Sequence, residues 1–404
     1  MTVIYLDNNA STKVDPLVAQ AMKTYTEGEV FGNPHSGHFL GALSRDAINK
    51  ARNQVLTIFG IDAGWKCVFT SGASESNNLA IKGFVLQRMR LARTGTVHIV
   101  TSTVEHGSVD KCIDWLISLF DSVTVTELPL DSHGVIDLVA ADRILRDGRS
   151  VALCSCIHTV AETGAVQPIH ELGALVKSIW PTALFHTDAS QSVGKLGGDI
   201  LATLPHYADM ITVAGHKFGA PKGIGALLVK DDTVSRIDPL IHGAGQEFGI
   251  RGGTENVACI VGLGYACELS NTCTKSRHLV DELWRILSSK FDEVGLDYHL
   301  NSTAPVRSPY TLNFSVAGLN GPGVVGQLGN ENLYGLKICF SAGSACHSRG
   351  CPTPSKVLAA MGLEAKYSTS GIRLSVSGQT SVEDIRTAAP LIARSILESL
   401  QGCK

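Results

Sequence analysis

The stretch Met210-Ile-Thr-Val-Ala-Gly-His-Lys-Phe-Gly-Ala-Pro-Lys-Gly-Ile-Gly-Ala-Leu-Leu-Val229 carries the strongest indication of the fold. Two strand-like runs, Met210–Ala214 and Gly225–Val229, flank a glycine-rich loop that contains Lys217. Runs that are apolar on both faces are typical of strands buried in a sheet that helices cover on both sides. A lysine between a strand and a Gly/Pro loop is a candidate for a lowered pKa and for Schiff-base chemistry. The stretch therefore predicts a buried sheet with a reactive lysine at its edge.

Strands and helices alternate on the N-terminal side of this stretch. The predicted strands, apolar on both faces as in a parallel sheet, are Cys67–Thr70, Val97–Val100, Val123–Thr126, Val151–Cys156 and Ala183–Thr187. Apolar residues at helical spacing predict helices over 40–58 and over Pro168–Trp180. This alternation predicts an α/β fold with right-handed crossovers.

The pattern changes after Val257, where a smaller α+β domain is predicted. Its expected elements are one long helical stretch over 257–294, strands over Tyr310–Val316 and Lys337–Phe340, and a last helix over Ser381–Leu400.

Composition excludes several classes of protein. The chain has 404 residues, of which 44% are hydrophobic and 18% charged, so a large core forms and disorder is not the main state. The net charge of −3 and the absence of a Lys/Arg block argue against nucleic acid or an anionic membrane as partner. No apolar run approaches the roughly 18 residues of a membrane span, and we see no signal peptide. Eleven cysteines without zinc spacing predict free thiols and a reducing, cytoplasmic compartment.

Polar residues follow the predicted strands at the edge where ligands of open α/β sheets bind. They include His106, Asp188, Gln191 and Lys217, and a small-residue turn at 71–75 opens a helix in a way that suits a phosphate. Taken singly, each has an ordinary explanation, such as a helix cap or a hydrogen-bonded structural histidine. Their common position at one edge predicts a crevice with amine and carboxylate chemistry.

Motifs along nearly the whole chain resemble the NifS-like group of class V, fold-type I pyridoxal-phosphate enzymes, which comprises cysteine desulfurases and selenocysteine lyases. The matching segments are Tyr5-Leu-Asp-Asn-Asn-Ala-Ser-Thr12, Gly32-Asn-Pro-His-Ser-Gly-His38, Thr70-Ser-Gly-Ala-Ser-Glu-Ser-Asn-Asn78, Glu105-His106, Glu162-Thr-Gly-Ala-Val-Gln-Pro168, Asp188-Ala-Ser-Gln191, Gly215-His-Lys217, Gln246-Glu-Phe-Gly-Ile-Arg-Gly-Gly-Thr-Glu-Asn256, Ser341-Ala-Gly-Ser-Ala-Cys-His347 and Ile372-Arg-Leu-Ser375. The Cys-His-Ser sequence after Ser-Ala is more similar to the selenocysteine-lyase branch.

The resemblance implies a site for pyridoxal 5'-phosphate. Lys217 would bind the cofactor covalently and later carry the substrate's α-proton. His106 would stack on the pyridine ring, Asp188 would pair with the ring nitrogen, and Gln191 would hydrogen-bond the ring hydroxyl.

The resemblance also implies residues for the phosphate, the substrate and the sulfur transfer. Ser74 and His216 would hold the phosphate, with Thr254 contributed by the partner subunit of a homodimer. Arg373 would bind the substrate carboxylate, and Cys346 would be the nucleophile that takes the sulfur or selenium before an acceptor protein receives it.

The fold that the resemblance implies is a fold-type I transferase with a parallel-rich mixed sheet. We expect a large cofactor-binding domain over 15–255. A small α+β domain over 1–14 plus 256–404 would carry Arg373 and Cys346.

Three departures from the family pattern leave other functions open. Val160-Ala161 stands where the family has two asparagines, Ala214 replaces a hydroxyl residue, and Ser377-Gly378 replaces Gly-Arg. The expected reaction converts L-cysteine or L-selenocysteine to L-alanine. The alternatives are β-elimination by a C–S lyase, with Cys346 inessential, and a cofactor-binding scaffold without activity.

Cys351 is a second thiol, close to Cys346 in the sequence. We expect it to occupy a packed position in the loop rather than to act as a redox partner.

Overall fold

The computed structural model of the chain describes residues 2–91, 95–270, 276–330, 335–343 and 353–401. Its strands are β1 (Thr2–Tyr5), β2 (Trp65–Thr70), β3 (Val97–Ser102), β4 (Val123–Leu128), β5 (Val151–Ile157), β6 (Leu184–Asp188), β7 (Met210–Ala214), β8 (Gly225–Lys230), β9 (Tyr298–Leu300), β10 (Thr311–Val316), β11 (Leu336–Cys339), β12 (Ser341–Ala342) and β13 (Gly371–Ser375).

Helices separate most of these strands. They are α1 (Pro16–Thr26), α2 (Phe39–Thr57), α3 (Ala73–Leu91), α4 (Gly107–Leu119), α5 (Leu138–Arg146), α6 (Ile169–Ile179), α7 (Gly198–Leu201), α8 (Asp231–Val234), α9 (Val257–Ser270), α10 (Arg277–Asp292), α11 (Gly321–Asn330), α12 (Lys356–Ala360), α13 (Ala365–Ser368) and α14 (Val382–Gln401). Short 3-10 helices span Leu204–His206, Gly215–Lys217 and Glu247–Gly249. Within the described ranges, no helix is both long and apolar enough to cross a membrane.

Seven strands form the central sheet in the order β2-β8-β7-β6-β5-β3-β4. Every residue of β3, β5, β6 and β7 is buried, because helices cover both faces of the sheet. The strand β8 runs antiparallel to both of its neighbours, and all other pairs are parallel. The parallel-rich mixed sheet is therefore confirmed. The expectation that 67–70 pairs in parallel is wrong, because β2 pairs with β8 in antiparallel orientation.

A second, smaller sheet and its helices form a separate core. The sheet has the order β12-β13-β10-β9 and is antiparallel, while β1 pairs in parallel with β11. Leu283, Phe291, Phe314 and Ile392 are among the fully buried side chains of this core.

The segment 257–294, predicted as one helical stretch, contains two helices, α9 and α10, on either side of residues that are not described. The two helices belong to different cores. Ile260 and Leu263 of α9 pack into the core of the central sheet, whereas α10 packs into the second core. The division into 15–255 and 1–14 plus 256–404 remains a proposal, and by its packing α9 groups with the large domain.

Candidate active site

The carboxyl edge of the central sheet gathers the residues that the strand ends predicted. Asp188 is the last residue of β6, and Lys217 closes the short 3-10 helix that follows β7, the neighbouring strand. His106 follows β3 and caps α4, where its Nδ1 accepts a hydrogen bond from the backbone N–H of Ser108 at 3.1 Å. Parallel strands that end at one edge thus place an amine, a carboxylate and an imidazole there.

Lys217 is anchored by the N-terminal segment of the chain. Its Nζ donates to the carbonyl oxygens of Asn9 at 2.8 Å and of Ala10 at 3.0 Å. Burial, together with the positive charge of Arg373, lowers the pKa of Lys217 to about 8. About half of this amine is therefore uncharged near pH 8, and the uncharged form is the one that attacks a carbonyl carbon.

Asp188 is a buried carboxylate with hydrogen bonds to both oxygens. Its Oδ2 accepts from the side-chain amide of Asn77 at 2.8 Å, and its Oδ1 accepts from the backbone N–H of Ser190 at 2.9 Å. Two of the neighbouring polar atoms, Asn77 Oδ1 and Ser190 Oγ, are buried and have no partner among the described residues. Unpaired buried polar atoms are costly, so these atoms are available to a bound ligand.

Arg373 is held by a network that leaves one of its donors free. Its Nη2 donates to Asp7 Oδ1 at 2.8 Å and to Ser341 Oγ at 3.2 Å, and its Nη1 donates to the carbonyl oxygen of Ala161 at 3.3 Å. The Nε atom is buried and has no partner in the described part of the chain. A guanidinium with a free buried N–H suits a carboxylate ligand.

The side chains expected at the phosphate lie around the start of α3 and the loop after β7. Ser74 lies in the first turn of α3, where backbone N–H groups point away from the helix. Burial and the charge of Lys217 lower the pKa of His216 to about 4, so this histidine is neutral at physiological pH. Its Nδ1 lies 3.2 Å from Ser11 Oγ.

Two expected residues are not part of this cluster in the single chain. Thr254 is exposed in the loop that precedes α9. Cys346 and Cys351 lie outside the described residues. Of the thiols expected to be buried and free, Cys67, Cys112, Cys154, Cys156 and Cys267 are both, whereas Cys259 is free and only partly buried.

Sequence reasoning missed Asn9 and Lys195, which connect the site residues. The amide of Asn9 donates to the carbonyl oxygen of Ala161 at 3.0 Å and to Thr311 Oγ1 at 2.8 Å, and its Oδ1 accepts from Lys195 at 2.8 Å. Burial and the charges of Lys217 and Arg373 hold the pKa of Lys195 well below its usual range. The sequence signal was the position of Lys195, four residues after Gln191, at the same strand end.

Glu105, which precedes His106 in the sequence, is a buried acid. Burial raises its pKa to about 8, so it is largely protonated at neutral pH. Its Oε1 accepts from Ser102 Oγ and, at 2.8 Å, from the backbone N–H of Ile157, which ties the ends of β3 and β5 together. Glu105 thereby fixes the start of the segment that carries His106.

The donor set fits pyridoxal 5'-phosphate. Lys217 would supply an amine for its aldehyde, and Asp188 would supply a carboxylate for its ring nitrogen. The N-terminal turn of α3 and the His216 ring would supply hydrogen-bond donors for its phosphate. The unpaired Asn77 Oδ1 and Ser190 Oγ beside Asp188 are consistent with a ligand at this position.

The pKa of Lys217 leads to a prediction for cofactor loading. An amine whose pKa is lowered to about 8 from 10.5 loses its proton as the pH rises through about 8. The rate at which apoprotein binds pyridoxal phosphate covalently should therefore rise between pH 7 and 9 and then level off. Stopped-flow absorbance across this range would measure it. A rate that keeps rising beyond pH 10 would show that Lys217 titrates like a solvated lysine.

Comparison with known proteins identifies the family of the chain. The sequence pattern of the family Aminotransferase class-V matches residues 4–387. The chain is 40% identical over 390 residues to a cysteine desulfurase of Nostoc sp., covering 95% of this chain and 90% of that protein. It is 35% identical over 399 residues to the cysteine desulfurase IscS of Dictyoglomus turgidum, covering 98% of this chain and 95% of that protein.

Solved structures give the same result. A NifS-like protein superposes with a TM-score of 0.83 at 29% identity, covering 98% of this chain and 99% of that one. A structure described as SspA in complex with cysteine superposes with a TM-score of 0.74 at 33% identity, covering 93% of this chain and 99% of that one. These matches confirm the fold expected from the sequence, that of a fold-type I pyridoxal-phosphate-dependent transferase. The chain belongs to the aminotransferase class-V family.

Proposed function

We propose that the protein is a pyridoxal-phosphate-dependent cysteine desulfurase that converts L-cysteine to L-alanine and leaves a persulfide on Cys346. The observation that carries the proposal is that the amine of Lys217 and the guanidinium of Arg373 lie against one segment of chain, Asp7–Ala10. An amine for the cofactor beside a cation for a carboxylate suits an amino-acid substrate. The relatives named cysteine desulfurase support the choice of cysteine.

Each residue has a defined task in this reaction. Bound pyridoxal phosphate supplies an aldehyde for the substrate amine and a ring that withdraws electrons from the α-carbon. Arg373 binds the substrate carboxylate, and Lys217 takes the α-proton at Nζ. The Cys346 thiolate attacks the substrate sulfur, so an S–S bond forms while the C–S bond breaks. The carbon side receives the electron pair and a proton, which yields alanine.

Assembly and the second substrate belong to the same proposal. The exposed position of Thr254 in the single chain is consistent with a homodimer in which this residue reaches the partner's phosphate. Cleavage of L-selenocysteine by the same route is the second candidate, because Cys346-His347-Ser348 is similar to the selenocysteine-lyase branch. An acceptor protein would then receive the sulfur or selenium.

Product analysis tests the function directly. Holoprotein is incubated with L-cysteine or L-selenocysteine, and alanine, pyruvate and ammonia are measured while the mass of the Cys346 peptide is recorded. Alanine together with a mass increase of one sulfur atom is expected from cysteine. Pyruvate and ammonia in place of alanine would support the β-elimination alternative, and no product from either substrate would support the scaffold.

The substitution Arg373→Lys should strongly impair the reaction. A lysine has three N–H groups on one nitrogen, too few for Asp7, Ser341, the Ala161 carbonyl and a carboxylate together, whereas the guanidinium has five on three nitrogens. We expect a loss of about 2 kcal/mol or more in kcat/KM, the scale of charge-assisted hydrogen bonds. Steady-state alanine production measures it. Arg285→Lys on the exposed face of α10 is the matched control. An unchanged kcat/KM in Arg373→Lys would remove Arg373 from the substrate site.

A further inference from the structure

Lys195 is a buried lysine whose hydrogen-bond partners in the described part of the chain are uncharged. Only 6% of the residue is exposed, and no carboxylate of the described residues lies within ion-pair distance of its Nζ. Its hydrogen-bond acceptors are two amide oxygens, Asn9 Oδ1 at 2.8 Å and Gln191 Oε1. Each of these two oxygens accepts one N–H group of the amine. Lysine is rarely buried in protein interiors because its burial costs free energy. We therefore expect Lys195 to have a role beyond packing.

The two amides on Lys195 can adopt only one orientation. The nitrogen of Asn9 donates to Ala161 and Thr311, and the nitrogen of Gln191 donates to the backbone carbonyl of Asn9 at 2.8 Å. Both amide oxygens must therefore face Lys195, which is their donor within the described chain. Without that donor, two buried oxygens lose their partner, and either amide can turn over to find another one.

This orientation affects the cofactor side of the crevice. The amide nitrogen of Gln191 has two hydrogens, and only one is donated to a described acceptor, the carbonyl oxygen of Asn9. That same carbonyl also accepts from Lys217 Nζ at 2.8 Å. Lys195 thus orients the amide of Gln191, whose second N–H has no acceptor among the described residues.

We propose that Lys195 is a positioning residue, which holds the amides of Gln191 and Asn9 so that a Gln191 N–H faces the bound cofactor. The proposal rests on the proposed function, because it needs a cofactor at this edge of the sheet. It assigns Lys195 an effect on cofactor affinity that acts through Gln191 and not through the stability of the fold.

A double-mutant cycle on cofactor binding tests this coupling. The dissociation constant of pyridoxal phosphate is measured by absorbance titration of apoprotein for Lys195→Met, Gln191→Met and the double variant. Each single variant should bind about ten-fold more weakly, the scale of one hydrogen bond to a polar ligand. The double variant should also bind about ten-fold more weakly, because the second substitution removes nothing further. The pH midpoint of the visible absorption band should shift equally in all three.

Two further variants separate positioning from folding. Lys177→Met removes another largely buried lysine, which pairs with Asp209 at the far end of the sheet. It should lower the melting temperature without changing the dissociation constant. Lys195→Gln keeps an N–H donor and should retain more affinity than Lys195→Met, which also covers the case that the methionine variant does not fold.

Losses that multiply to about a hundred-fold in the double variant would overturn the proposal, since independent residues add in free energy. So would a Lys177→Met variant that weakens cofactor binding as much as Lys195→Met. Failure of the wild-type protein to bind pyridoxal phosphate, or to form alanine, would instead count against the proposed function.

Discussion

Lys217→Ala should abolish alanine formation, with a loss of at least about a thousand-fold, the range for removal of a general base. In the proposed reaction, Lys217 is both the amine that binds the cofactor covalently and the group that takes the α-proton, and the substitution removes it. Among the described residues, its Nζ bonds only to the backbone carbonyls of Asn9 and Ala10, so the substitution breaks no ion pair there. The fold should therefore persist, and circular dichroism and the melting temperature should stay close to wild type.

Borohydride reduction followed by peptide mapping gives the decisive readout. The wild-type protein should carry one reduced cofactor on the peptide that contains Lys217, and the Lys217→Ala variant should carry none. Lys111→Ala on the exposed face of α4 is the control and should behave as wild type. A reduced cofactor found on another lysine of the Lys217→Ala protein would show that the lysine was assigned wrongly.

The central sheet could be predicted from the sequence because its strands are apolar on both faces. All seven predicted strands of this sheet are present, most of them extended by one or two residues. The directions of the strands could not be predicted as well, because an apolar run such as Gly225–Val229 has the same pattern in a parallel and in an antiparallel strand. The reversal of β8 depends on the short loop after Lys217, which returns the chain beside β7 instead of crossing over through a helix.

The two helices within 257–294 show the same limit. Both halves of the segment carry buried apolar residues, and the two halves differ in the core against which they pack. Helical periodicity reports that a face is buried but not which core buries it. The assignment of α9 to the large domain therefore needed the tertiary structure.

The sequence predicts that Asp188, Gln191, His106 and Lys217 lie at one edge of the sheet, because each follows a strand and the topology brings these strand ends together. The contacts that orient these side chains could not be predicted from the sequence. Asn9 meets Lys195 across 186 positions of sequence, and Asp7 meets Arg373 across 366. Such pairs carry no local pattern, and Asp7 and Asn9 look like ordinary turn residues after a short strand. The N-terminal segment was recognised as a motif, but its role as the common anchor of Lys217 and Arg373 appears only in the fold.

Cys346→Ala should abolish alanine formation from cysteine. Without a thiolate to attack the substrate sulfur, the C–S bond would have to expel a poor leaving group. Selenide leaves more readily, so alanine formation from selenocysteine should fall but not vanish. Alanine yields from both substrates, with mass spectrometry of the 346 peptide, measure this difference.

Three matched variants make the result specific to Cys346. Cys351→Ala should leave both activities intact if its thiol only packs in the loop. Cys339→Ala should do the same, because burial and the negative charge of Asp7 raise the pKa of the Cys339 thiol and keep it protonated. His347→Ala should slow cysteine turnover and move its pH optimum upward, since less thiolate would be present near neutrality. Full conversion of cysteine to alanine by Cys346→Ala would exclude the persulfide route and favour a pyridoxal lyase that needs no thiol.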